Sequence, residues 1–140
     1  MLRALGSLLL GVLVFCTLGC ARRPNQVEFV IPNGFRGTIR IQPDDPRGTV
    51  LPKVNGCYIV RVPNSGFLGF KGDDPFESYL KTARFENRDD IWVSKWIDDK
   101  PHKERVGLFG GITHKEMDRP QVYIWFVGTE EEWTKSNKDF

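Results

Sequence analysis

VEFVIPNGFRGTIRI, residues 27–41, is the stretch whose reading decides the fold. Val27, Phe29 and Ile31 alternate along one side of a first run, and Ile39 and Ile41 along one side of a second. Pro32-Asn33-Gly34 separates them. Period-two alternation around a turn signal predicts two half-buried antiparallel strands forming a hairpin. Pro32 presets the backbone angle of a turn, and Gly34 tolerates tight geometry.

The same grammar recurs outward from this stretch. Asn55-Gly56 is a two-residue hairpin signal, followed by alternating residues over Cys57–Val62. Thr49–Val54 is interrupted by Pro52, which predicts an edge strand or none. Pro43–Gly48 (PDDPRG) has the composition of a solvated loop and lacks the carboxylate spacing of a calcium loop. Phe76–Phe85 fits a helix at Phe76, Tyr79, Leu80 and Ala83, and a strand at Tyr79, Lys81, Ala83 and Phe85. The strand is expected for its second half, paired with Ile91–Trp96 across a charged turn. Val106–Ile112 (VGLFGGI) has neither a P-loop lysine nor a Rossmann glycine pattern, so a bulged strand is expected. Gln121–Val127 (QVYIWFV) is apolar on both sides and predicts a central strand covered on both faces. Thr129-Glu130-Glu131-Glu132 is a capping box opening a short helix to about Lys138, which Trp133 docks.

The N-terminus has a different character. Residues 1–19 carry one charge, Arg3, then the apolar run Leu8–Phe15, then small and polar residues up to Cys20. This is the layout of a secretory signal. The run is too short for a spanning helix of about 20 residues. Thr17-Leu18-Gly19-Cys20 resembles the lipobox of bacterial lipoproteins, although leucine is usual where Thr17 stands. The resemblance implies cleavage before Cys20 and acylation of its thiol. Residues 20–26 then form a tether, with Arg22 and Arg23 solvated, and residues 27–140 a single domain. The membrane is the implied partner, through the lipid, and the implied location is an exported, lipid-anchored one on the periplasmic or outer face of a cell envelope. Of the three cysteines, Cys57 is left without an internal disulfide partner and reads as a small buried hydrophobe.

Composition narrows the function. With 140 residues, 40% of them apolar, and a net charge of +2, the chain has the make-up of one soluble globule. Charges of both signs are interspersed, with no basic concentration that would call for nucleic acid. Three motifs, IPNGFRGTIRI at Ile31–Ile41, NGCYIVRVPNSGFL at Asn55–Leu68 and FVGTEEEW at Phe126–Trp133, resemble DUF6843, a domain of unknown function found on bacterial secreted proteins and lipoproteins. That resemblance implies a compact, mostly β, exported domain and brings no activity with it.

Chemistry-bearing residues are sparse. His102 and His114 are twelve apart, without the close partner a catalytic zinc site usually has; Asp98 and Glu116 are the nearest acids to join them. No G-x-S-x-G elbow is present, and Asp73-Asp74, Asp89-Asp90 and Asp98-Asp99 read as loop punctuation. Trp92 and Trp96 would share a face of one strand and could make a sugar platform, but rings of this kind more often fill cores. The expectation is therefore a mainly β protein: an antiparallel β-sandwich of two packed sheets with a short C-terminal helix. Its function is expected to be a non-enzymatic binding or structural module without cofactor or metal, facing an envelope protein or polysaccharide. The alternatives are a hydrolase or metal-dependent enzyme using His102 or His114, and a carbohydrate-binding module using Trp92 and Trp96.

Overall fold

The computed structural model describes residues 26–77, 79–94, 104–114 and 120–139, with the backbone alone at 112–114 and 139. Ten strands appear in chain order: β1 (Gln26–Ile31), β2 (Gly37–Gln42), β3 (Thr49–Val50), β4 (Lys53–Val54), β5 (Cys57–Arg61), β6 (Phe67–Lys71), β7 (Leu80–Phe85), β8 (Asp90–Val93), β9 (Gly107–His114) and β10 (Val122–Gly128). They form one sheet in the order β3-β6-β2-β10-β9-β8-β7-β1-β5-β4, curled into a half-barrel.

This corrects the expected antiparallel sandwich in two respects. The sheet is continuous, β8 joining its halves by an antiparallel pairing to β7 and a parallel one to β9. Its pairing is also mixed: β1 lies parallel to both β5 and β7, and β6 parallel to both β2 and β3. The β1–β2 hairpin does not form either. β2 pairs instead with β10 and β6, so the turn after Ile31 carries the chain from one wall of the half-barrel to the other. The alternation was read correctly, because it reports which side is buried. It carries no information on which strand lies alongside.

The local expectations hold where turn chemistry decides. Asn55 and Gly56 both have positive φ, 50° and 78°, and join β4 to β5 as an antiparallel hairpin. β7 and β8 form the expected hairpin. In β9 the register against β10 shifts between Ile124 and Trp125, beside Gly110 and Gly111 at φ 110° and 89°. This is a bulge that side chains larger than glycine disfavour. The helix α1 (Glu130–Ser136) starts with the expected box: Glu132 N–H donates to Thr129 Oγ1 at 3.3 Å and Thr129 N–H to Glu132 Oε2 at 2.7 Å. A 3-10 turn, Asn137–Asp139, follows.

The concave side holds the core. Val27, Phe29 and Ile31 of β1 meet Ile39, Ile41, Tyr123, Trp125 and Val127 of the opposite wall. Phe29 is fully buried, its ring centroid 5.2 Å from that of Trp125. Side chains of this size contribute about 1.5–3 kcal/mol each when buried. On the convex side Val30, Cys57 and Ile59 make a second, small apolar cluster. Cys57 is thus the buried hydrophobe expected of it. Trp133 docks α1 by stacking on Phe109 (6.0 Å, 13° between planes) and lying 5.8 Å from Phe126. That explains why β10 is apolar on both sides.

The two ends of the sheet are close along the chain. β3, on β6, and β4, on β5, are separated only by Leu51-Pro52. Pro52 breaks the strand, so one extended segment serves both edges. Leu51 turns into the core, and Pro52 O accepts the Ile59 N–H at 2.8 Å. The segment acts as a strap across the open side.

Candidate functional site

A pocket of about 470 Å³ opens at the end of the half-barrel where β7, β8, β9 and β10 converge. Its apolar floor comes from Phe76, Tyr123 and Trp125, with Val93 beside them. Glu77, Lys81 and Ser94 supply polar groups. The bulge at Gly110-Gly111 forms one wall, and a Cβ on Gly111 would come within 2.9 Å of the Trp125 ring. The missing side chain leaves room for the indole and for the space beside it.

The segment between β6 and β7 shapes the mouth, and its acids turn out to be more than loop punctuation. Asp74 Oδ1 accepts the Phe76 N–H at 3.0 Å, an Asx-type turn that drives Phe76 inward. Phe76 then sits between Phe29, Phe70 and Tyr123, at 6.0, 5.5 and 5.1 Å between ring centroids. Asp74 Oδ2 accepts the Tyr123 Oη proton at 2.7 Å, and Tyr58 Oη donates to Asp73 Oδ2 at 3.3 Å. One wall is tied through each aspartate. Burial, then the hydrogen bond and charge of Asp74, hold the Tyr123 phenol above its ordinary ionisation range.

Lys81 is the unusual residue here. It aligns with Val27 across the parallel β1–β7 ladder and lies two residues before Ala83, so it belongs to the inward row. Burial pushes its ammonium below the ordinary lysine value, opposed by the charge of Asp74. No salt bridge joins Lys81 to a carboxylate among the described residues. Trp125, 4% exposed, also holds its indole Nε1–H buried without a hydrogen-bond acceptor among the described residues.

Cys20, His102, Trp96, Asp98 and Glu116 lie outside the described residues. His114 ends β9 opposite Val122, at the level of the backbone. No group of three or more His, Cys, Asp or Glu gathers as a metal site among the described residues. Trp92 lies half-buried on the convex side, its ring 5.8 Å from Phe109. Trp125 and Tyr123 belong to the pocket floor. Lys81 was not singled out from sequence. The available signal was its place in the Tyr79-Lys81-Ala83-Phe85 alternation, where a lysine on an otherwise apolar row marks an end of the core.

No family model matches the chain. No curated protein matches it either. Among solved structures the chain is similar to a 2.75 Å crystal structure of a candidate lipoprotein from Bacillus anthracis, at 11% identity and a TM-score of 0.46 over 79% of this chain and 76% of that one.

Proposed function

We infer that the protein is an exported, lipid-anchored module of a bacterial cell envelope that binds a small amphipathic molecule in the mouth of its half-barrel. The observation that carries the binding reading is the pocket itself. It combines an aromatic floor with a few converging polar groups, the usual composition of a ligand site, and barrel mouths are a usual place for one. Its volume falls within the range of about 300–1,000 Å³ typical of small-molecule sites. The two walls of the curled sheet face each other across the core much as sandwich layers do, and the pocket opens between them at one end.

The anchor rests on Thr17-Leu18-Gly19-Cys20 and on the apolar run before it. Among the described residues no helix is long and apolar enough to cross a membrane. The three motifs that resemble DUF6843 agree with an exported domain. Two experiments test the reading. Cys20→Ala is expected to move the protein from the membrane fraction to the soluble one, and unchanged retention refutes the anchor. For the pocket, amide shifts on titration with a panel of small amphiphiles are expected to gather at Ser94, Gly110 and Gly111, and Ser94→Phe is expected to abolish them. Shifts scattered over the convex side, or none, refute the pocket.

A further inference from the structure

The geometry points to a ligand with one negative charge on an apolar body, a monocarboxylate amphiphile whose head meets Lys81 and whose body lies against Trp125, Tyr123 and Phe76. This rests on the pocket being a binding site and names what fills it. Three observations select the class.

First, the pocket presents an unmatched cation. The Lys81 ammonium sits on the inward row without a salt bridge to a described carboxylate. The carboxylate nearest in influence, Asp74, already accepts from Phe76 N–H and Tyr123 Oη. A half-buried ammonium without a counter-charge is costly, and a ligand carboxylate relieves that cost. Second, the remaining lining is apolar and aromatic, which rewards a hydrocarbon body and gives a wholly polar anion little to bind. Third, Asp74 already acts on the lysine with its negative charge and Glu77 lines the same pocket, so a dianion such as a phosphate monoester meets like charge. A ligand amine meets the like charge of Lys81 at the same place and is disfavoured there.

The test uses the unacylated Cys20→Ala chain, titrated calorimetrically with decanoate, 1-decanol and decylamine below their micellar concentrations. Decanoate is expected to bind most tightly. Lys81→Met should weaken it roughly tenfold, the ratio expected for losing a charge-assisted hydrogen bond. Lys81→Arg should restore most of the loss, and Lys81→Met should weaken decanoate by a much larger factor than decanol. Melting curves of both variants establish that they fold. If decanol binds as tightly as decanoate and Lys81→Met changes nothing, the charge assignment is overturned while the pocket reading stands. If none of the three binds, both are overturned. Decanoate binding that survives Ser94→Phe lies elsewhere and also overturns the assignment.

Discussion

Leu51→Ala probes the strap that serves both edges of the sheet. Leu51 is 6% exposed and packs in the main core between β3 and β4, whereas Val50, its neighbour, is 65% exposed. Truncation to alanine removes three carbons, worth ~0.8 kcal/mol each in transfer alone. With the cavity left behind, Leu→Ala in a core costs about 2–5 kcal/mol. At Leu51-Pro52 the strap is held by a single backbone bond, Pro52 O to the Ile59 N–H, and can settle inward, so the expected loss is in the lower part of that range, about 3 kcal/mol. Urea unfolding followed by tryptophan emission measures it, provided the slope m is unchanged between variants. Val50→Ala, on the same segment but outward, is expected to stay within about 0.5 kcal/mol. Amide exchange adds a local readout. The Ile59 N–H, bonded to Pro52 O at 2.8 Å, is expected to lose protection in Leu51→Ala more than amides of β10 do. A loss below about 1 kcal/mol, or equal losses for Leu51→Ala and Val50→Ala, would refute the claim that this residue pins the two edges together.

Two further predictions concern the loop at Pro43–Gly48 and the mouth of the pocket. A Cβ on Gly48 would lie 2.6 Å from the backbone of Gly69 and Phe70, atoms that do not yield as a side-chain end does; Gly48→Ala is therefore expected to cost about 1–3 kcal/mol in the same unfolding assay, and a neutral result refutes that packing. Tyr123, whose ionisation is raised by burial and by Asp74, holds its proton in the folded state beyond the pH at which the unfolded chain gives it up. Its contribution to stability is thus fully present below about pH 10, the ordinary tyrosine value, and is lost as pH rises from there through the folded value. The measurement is the stability difference between the native protein and Tyr123→Phe against pH, and a difference that stays flat across the alkaline range contradicts the burial of that phenol.

Much of the local structure was legible from residue order. The capping box at Thr129, the Asn55-Gly56 hairpin, the bulge-prone Val106–Ile112 and the Pro52 break each rest on chemistry confined to a few neighbouring residues. The inward rows were legible too: Val27, Phe29 and Ile31 face the core because alternation fixes one buried side. PDDPRG was misjudged in one respect. Asp45, expected in a solvated loop, is 7% exposed, with its Oδ1 accepting the Arg47 N–H at 2.9 Å. A short acid that satisfies itself against nearby backbone tolerates burial, and composition does not report that.

The residues alone determined that this chain is strand-rich, where its strands turn, which of their sides meet the core, and that its first nineteen residues differ in kind from the rest. Only the tertiary structure decided that β1 and β2 stand on opposite walls, that five of the nine strand pairings among the described residues run parallel, and that Lys81, Gly111, Trp125 and the Asp74–Tyr123 bond meet at one opening. The reason is physical. Side-chain alternation and turn preference are set by neighbours a few residues apart. Which strand lies beside which is settled by how distant apolar rows fill one shared interior, and pockets form where that filling stops.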